Sequence, residues 1–213
     1  MPATQIKTAV VTDFDGTVTT FDIGDSICIH FGVVTPEEIA ASYMPGTSVK
    51  RWMKKFFARL SAPEEELREF LVKNSVMRPG FAGAARKLAA AGCPLEIASG
   101  GVDLYIDPLL KHWGAVAVPV FCGKARRVNG RYEITYPAIK GMIDDFKAAR
   151  VRHYQRLGMR VIFCGDAPAD FKACAQADIV FACGRLTAMC AKAGIKTRLL
   201  DNFDAVAKAA LEG

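Results

Sequence analysis

A strand that stops at two aspartates is the feature of this chain that most restricts its fold. Apolar residues at 9–11 predict a buried strand, and Gly16 breaks it. Asp13 and Asp15 alternate with Phe14, so both carboxylates leave the strand end on one side and repel each other unless a cation or a shared proton compensates. An Asp-x-Asp pair alone is most often a solvated turn. The strand before this pair instead places it at the carboxyl edge of a sheet, where open α/β sheets bind ligands.

The composition is that of an ordinary globular protein. The chain has 213 residues, of which 51% are hydrophobic and 23% charged, enough for one well-buried core. It contains no apolar stretch of membrane-spanning length and begins without the shape of a signal peptide, so we expect a cytoplasmic protein with no membrane partner. Seven cysteines with no Cys-x-x-Cys pair predict reduced thiols, with neither a zinc site nor a disulfide framework.

The net charge of +6 does not predict a nucleic-acid partner, because the basic residues are scattered. A dense basic cluster at 50–59 coincides with apolar residues at a helical period, which indicates a solvated or substrate-facing side of a helix. A mildly positive surface would also suit small anionic substrates. We expect a monomer or a homodimer.

The order of elements predicts an α/β fold with a helical insertion. The patterns predict helices over 23–31, 35–43, 48–60, 63–73, 80–91, 103–112, 141–157, 168–175, 185–193 and 203–211. They predict strands over 94–98, 116–121, 160–164, 178–181 and 198–200, and a hairpin turn at Asn129-Gly130. The alternation predicts a Rossmann-like parallel sheet with helices on both faces. The helical stretch after the first strand predicts a small cap, so we divide the chain into a core of 1–18 and 78–213 and a cap of 19–77.

Further polar residues stand where other strands end. Ser99, Gly100 and Gly101 follow one strand and could offer a hydroxyl and backbone N–H groups to an anion, although a serine here is more often only a helix cap. Asp166 ends another strand, and Asp170 lies one helical turn later, near enough to orient water on a bound cation unless it is a surface residue.

Lys147 precedes the strand that ends at Asp166. A lone lysine on a helix is usually solvated, but a phosphate site with this many acids needs a fixed cation.

In this order and spacing the residues resemble the four motifs of the haloacid dehalogenase superfamily of phosphatases. Asp13-Phe14-Asp15-Gly16-Thr17 is similar to the first motif, Ser99 to the second, Lys147 to the third, and Gly165-Asp166 with Asp170 to the fourth. The insertion is similar to the C1-type helical cap of the phosphoserine-phosphatase-like branch. Residues 77–81, 97–110 and 165–182 are most similar to the methionine-salvage phosphatases of that branch, which act on 2-hydroxy-3-keto-5-methylthiopentenyl-1-phosphate.

The resemblance implies a magnesium-dependent hydrolysis of a small phosphate monoester. It implies that Asp13 is the nucleophile and forms an aspartyl phosphate, and that Asp15 is the general acid and base. Mg²⁺ would be held by Asp13, Asp166 and the backbone carbonyl of Asp15, with Asp170 supporting its shell. Ser99, Gly100 and Lys147 would hold the phosphoryl oxygens.

Substrate choice is expected to depend on the cap. Phosphoserine phosphatases of this branch use a Glu and an Arg from the cap, and here the corresponding residues are Asp22 and Lys55 or Lys54. Lysine cannot make the bidentate contact of arginine with a carboxylate, which counts against phosphoserine and favours a keto or sugar-like phosphate. A phosphotransferase or phosphomutase, a phosphoserine phosphatase and a non-enzymatic receiver-like domain remain as alternatives.

Overall fold

The computed structural model describes residues 7–42 and 48–212. In that part of the chain, seven strands form one sheet in the order β4-β3-β2-β1-β5-β6-β7. The strands are β1 (Thr8–Thr12), β2 (Leu95–Val102), β3 (Val120–Val128), β4 (Arg131–Thr135), β5 (Arg160–Gly165), β6 (Ile179–Ala182) and β7 (Arg198–Leu199). All neighbouring pairs are parallel except the hairpin of β3 and β4. The central strand is β1, so its carboxyl end lies at the middle of the sheet edge.

Helices cover both faces of the sheet, as the alternation predicts. They are α1 (Ile23–His30), α2 (Pro36–Ser42), α3 (Val49–Phe57), α4 (Glu64–Asn74), α5 (Phe81–Ala90), α6 (Asp103–His112), α7 (Ile143–Arg156), α8 (Phe171–Cys174), α9 (Gly184–Lys192) and α10 (Phe203–Leu211). Val10 and Val11 alternate along β1 and belong to two separate apolar clusters, one on each face. Helices α7, α8 and α9 pack on the face of Val11, and α5, α6 and α10 pack on the other. None of the helices in the described ranges is long and apolar enough to cross a membrane.

The four helices α1 to α4 form the insertion between β1 and α5. Their buried side chains join the apolar cluster on the Val10 face, so the insertion packs on the sheet domain. The segments that enter and leave the insertion run side by side. Thr19 pairs with Met77 in an antiparallel bridge, and the N–H of Arg78 donates to the Val18 carbonyl at 2.7 Å. These contacts lie at the predicted boundary, and the division into 1–18 with 78–213 and 19–77 stays a prediction.

The hairpin at residues 129 and 130 has the predicted turn. Asn129 and Gly130 both have positive φ, at 48° and 77°, and Val128 pairs with Arg131 across the turn. Helix α2 begins with the predicted cap, in which Thr35 and Glu38 exchange hydrogen bonds. The predicted end of that helix, at residue 43, lies outside the described residues.

Two strand predictions were wrong in extent. The apolar run at 116–119 is not a strand, and β3 instead begins at Val120 and continues through polar residues that pair with β4. The strand predicted over 94–98 continues to Val102, because its pairing with β3 resumes at Val102 and Gly123 after the irregularity at 99–101. Ser99 therefore lies within a distorted strand and does not follow its end.

Candidate active site

The loop after β1 carries Asp13 and Asp15 on either side of Phe14 in the sequence. Phe14 between them is fully buried against the rings of Tyr105 and Trp113. The N–H of Asp13 donates to the Cys164 carbonyl of β5 at 3.0 Å, which fixes the start of the loop against the neighbouring strand.

A buried lysine joins two of the acids. The Lys147 ammonium lies 2.8 Å from Oδ2 of Asp13 and 2.7 Å from Oδ1 of Asp170, and the side chain is only 2% exposed. Burial alone lowers the pKa of Lys147, but the charges of Asp13 and Asp170 outweigh it and raise the pKa above its ordinary value. Lys147 is therefore a fixed positive charge beside Asp13, and its predicted contact with phosphoryl oxygens stays a prediction.

Asp170 has its acceptor oxygens occupied within the protein. Its Oδ1 accepts from Lys147, and its Oδ2 accepts the backbone N–H groups of Asp166 and Ala167, both at 3.1 Å. The carboxylate is fully buried. Its contacts orient the loop after β5 and the lysine, and its predicted support of a metal shell stays a prediction.

Asp166 approaches the first loop because residue 16 is a glycine. Gly16 has φ +71°, and a Cβ at this position would overlap Oδ2 of Asp166. The Thr17 hydroxyl donates to Oδ1 of Asp166 at 3.2 Å. Carboxylate oxygens of Asp13, Asp166 and Asp170 consequently lie within 4.8 Å of one another.

The electrostatics of this cluster suit a bound cation. Burial and the charge of Asp170 raise the pKa of Asp13 to about 7 and of Asp166 to about 8, against the opposing effect of Lys147. Asp170 is already satisfied, so Asp13 and Asp166 are the two side chains with oxygens to offer a metal. Hard oxygen donors and an excess of buried negative charge are the environment that Mg²⁺ prefers.

The irregular end of β2 forms the second part of the site. The hydroxyl oxygen of Ser99 accepts the N–H of Gly101 at 2.9 Å, so its own proton can be donated elsewhere. Gly100 is in close contact with the cap, because a Cβ there would come within 2.7 Å of Cγ1 of Val49. The carbonyl of Gly100 accepts from the hydroxyl of Tyr136 at 2.8 Å.

Both carboxylate oxygens of Asp15 accept hydrogen bonds. Oδ1 accepts the N–H of Ile23 at 3.0 Å, and Oδ2 accepts the hydroxyl of Tyr105 at 2.7 Å. Burial and the charge of Asp22 raise the pKa of Asp15 well above its usual range, against the opposing effect of the Tyr105 hydrogen bond. A carboxyl group with a raised pKa keeps its proton more readily than a free carboxyl, as a general acid must.

Of the two predicted cap contacts, Asp22 lies near a carboxylate of the site and Lys55 is exposed. Asp22 stands close enough to Asp15 to affect its pKa, and its Oδ1 caps α1 by accepting the N–H of Asp25 at 2.8 Å. Lys55 is exposed on α3 with its ammonium 4.9 Å from the Phe56 ring centre, and the structure does not bring it to the carboxylate cluster. Besides Val49, Met53 of α3 lies near the site, because its sulfur would lie 3.6 Å from a Cβ at residue 24.

Sequence reasoning missed Tyr105 and Arg78. The Arg78 guanidinium donates to the carbonyls of Thr17 at 2.6 Å and Gly16 at 2.7 Å, and to that of Leu200 at 3.1 Å. It therefore ties the first loop to the far side of the sheet edge. No local pattern marks either residue, because their partners lie far away in the sequence.

Comparison with known proteins identifies the family. A sequence profile of the haloacid dehalogenase-like hydrolases matches residues 10–175, which include all four groups of predicted site residues. The chain belongs to this family. The predicted membership and the predicted hydrolase class are thereby confirmed.

Curated relatives match this chain over most of its length. The 2-hydroxy-3-keto-5-methylthiopentenyl-1-phosphate phosphatase of Lysinibacillus sphaericus (strain C3-41) is 29% identical over 207 residues, covering 87% of this chain and 86% of the relative. A phosphatase of the same name from Exiguobacterium sp. (strain ATCC BAA-1283 / AT1b) is 28% identical over 206 residues, covering 93% and 94%.

Solved structures confirm the predicted fold. A substrate-bound phosphoserine phosphatase superimposes with a TM-score of 0.74 at 16% identity, covering 97% of this chain and 99% of its own. A phosphoserine phosphatase in its apo form gives a TM-score of 0.69 at 16% identity, covering 95% and 98%. At such low identity the likeness concerns the fold alone.

Proposed function

We propose that this hydrolase is a magnesium-dependent phosphatase that transfers a phosphoryl group to Asp13 and then to water. The observation that carries the proposal is the buried contact of Asp13 with Lys147. A carboxylate oxygen of Asp13 also lies within 4.8 Å of carboxylate oxygens of Asp166 and Asp170. An anionic nucleophile can approach a phosphate dianion only where positive charge is already in place. Lys147 supplies one such charge, and Asp13 and Asp166, with the Asp15 carbonyl, would hold Mg²⁺.

The bound metal would neutralise phosphoryl charge as a Lewis acid. The residues of the chain would do the rest. Asp13 attacks phosphorus, while Ser99 and Lys147 donate hydrogen bonds to the phosphoryl oxygens together with the backbone of Gly100. Asp15 gives its proton to the departing alkoxide and later takes one from the water that hydrolyses the aspartyl phosphate.

The substrate that we propose is a small ketose-1-phosphate-like monoester of methionine salvage. The names of the curated relatives support this class, and so does the apolar lining that α3 presents to the site. Val49 contacts Gly100, and the Met53 sulfur lies near Gly24, so an uncharged tail would meet apolar side chains. Asp22 and Lys55 remain our proposed polar contacts of the cap, and Lys55 would have to reach from the exposed side of α3.

Phosphoserine is the second candidate substrate. Asp22, close to Asp15, offers a carboxylate that would suit an ammonium group. In the described part of α3, however, no arginine is placed to bind the substrate carboxylate, since Arg51 is exposed. Turnover of phosphoserine well above ketose 1-phosphates would exclude the first substrate class. Transfer to an acceptor other than water would appear as a phosphorylated product in place of free phosphate.

The test of the proposal is phosphate release from a panel of monoesters with Mg²⁺ or with EDTA. We expect release only with Mg²⁺, and we expect Asp13→Asn to reduce it at least about 1,000-fold because the nucleophile is lost. Asp145→Asn is the matched control, since Asp145 is also paired with a lysine, Lys172 at 2.7 Å, but lies on the surface of α7. Near-normal activity of Asp13→Asn would refute the nucleophile assignment.

A further inference from the structure

Tyr105 is a buried residue of the site that none of the predicted roles uses. It lies in the first turn of α6, directly after β2, and its side chain is 1% exposed. Its hydroxyl donates to Oδ2 of Asp15 at 2.7 Å. We infer that Tyr105 is a positioning residue that orients the Asp15 carboxyl for proton transfer to the leaving group. The inference rests on the proposed phosphatase function.

Two donors hold the Asp15 carboxyl from opposite elements. Ile23, at the start of α1 in the cap, donates to Oδ1, and Tyr105 of the core donates to Oδ2. Rotation of the carboxyl group would break both hydrogen bonds. The remaining lone pairs, one of which must carry the transferred proton, are therefore held in fixed directions.

The surroundings leave the Tyr105 hydroxyl little freedom. Its ring centroid lies 6.2 Å from that of Phe14 in the core and 6.4 Å from that of Phe57 in the cap. A buried phenol without a hydrogen-bond partner is costly, so the hydroxyl and the carboxylate satisfy each other. Residue 101 must be glycine for this contact, because a Cβ there would overlap the Tyr105 hydroxyl and come within 2.8 Å of Oδ2 of Asp15.

A positioning role predicts a dependence on the leaving group. In the first step the Asp13–phosphorus bond forms, the ester oxygen–phosphorus bond breaks, and the Asp15 proton moves to the departing oxygen. An alkoxide needs that proton, whereas p-nitrophenolate leaves without it. Tyr105→Phe, which removes only the hydroxyl, should slow phosphoryl transfer from an alkyl monoester about 10- to 100-fold. The same variant should leave transfer from p-nitrophenyl phosphate within about threefold.

The experiment compares single-turnover phosphoryl transfer from glycerol 1-phosphate and p-nitrophenyl phosphate, with Mg²⁺, by rapid quench. Tyr132→Phe is the matched control, because Tyr132 is also 1% exposed and donates a single hydrogen bond, to the Ala62 carbonyl at 2.9 Å. We expect this control to change neither rate selectively. In an Asp15→Asn background, Tyr105→Phe should have no further effect on the alkyl ester.

Equal losses on both substrates, or full additivity with Asp15→Asn, would overturn the positioning role. If Tyr105→Phe does not fold, Tyr105→Met tests the same contact, because it also removes the hydroxyl and keeps an adaptable apolar side chain, and it should give the same substrate dependence. Failure of that variant to slow the alkyl ester selectively would also overturn the role. A wild-type protein that releases no phosphate from any monoester of the panel, these two esters included, would refute the proposed function itself, which separates the two failures.

Discussion

Asp170 permits a sharp prediction, because asparagine cannot replace it in either orientation. The Asp170 carboxylate accepts the Lys147 ammonium on one oxygen and two backbone N–H groups on the other. In Asp170→Asn, the side-chain NH₂ must face either the ammonium or the two N–H groups. Buried donors then face each other, although the shape of the side chain is unchanged.

The expected cost follows from these contacts. Removing one partner of a buried ion pair costs about 3–5 kcal/mol, and we take about 4 because Lys147 keeps Asp13. Loss of the Asp170 charge also relieves the repulsion that raises the pKa of Asp13 and Asp166, an offset on the order of 1 kcal/mol. The net loss in the free energy of unfolding is about 3 kcal/mol, which lowers the Tm of a chain of this length by about 6–12 °C.

The assay is thermal unfolding of the full chain, followed by circular dichroism in Mg²⁺ and in EDTA, with phosphate release measured in parallel. Asp178→Asn is the control, because the exposed Asp178 accepts the Val161 N–H at 2.8 Å and an asparagine oxygen can still do so. We expect this control to stay within about 1 kcal/mol of the wild type. A Tm of Asp170→Asn within 2 °C of the control would refute the reasoning.

Further predictions concern Gly16 and the pH dependence of the metal-free protein. Gly16→Ala should displace Asp166 and cut activity about 100-fold or more, and an alanine at positive φ should also lower the free energy of unfolding by about 1–2 kcal/mol. Gly114→Ala, at φ +68° with open space around it, is the control and should keep full activity. Phosphate release and Tm measure both effects. Because burial and Asp170 raise the pKa of Asp13 to about 7 and of Asp166 to about 8, the native state binds more protons than the unfolded state above pH 4. The Tm in EDTA should therefore fall as pH rises from 5 to 8.5, and Mg²⁺ should raise it most at the alkaline end. A flat or rising Tm in EDTA over that range would contradict this.

Much of the fold follows from local patterns. Helices α6 and α10 have the predicted bounds. The start of α10 follows from Asn202, whose side chain accepts the Ala205 N–H, and the hairpin follows from Asn129-Gly130, because capping and turn chemistry act within a few residues. The extents of β2 and β3 were predicted wrongly, because they depend on residues far away in the sequence. Whether 99–101 continue a strand, or polar residues after Gly123 form one, depends on pairing with a neighbouring strand.

The same distinction divides the site. The alternation of Asp13 and Asp15 around Phe14, the strand end before them and the spacing of Asp166 and Asp170 were legible in the sequence, because they follow from the backbone periodicity of a strand and a helical turn. Only the tertiary structure decided which carboxylates have an oxygen available for a metal and which already accept hydrogen bonds from protein groups on both oxygens. Lys147 donates a hydrogen bond to Asp170, and Tyr105 donates one to Asp15. The two residues of each pair are at least 23 positions apart in the sequence. A buried carboxylate is defined by the donors around it, and those donors are brought there by the packing of α6 and α7 on the sheet.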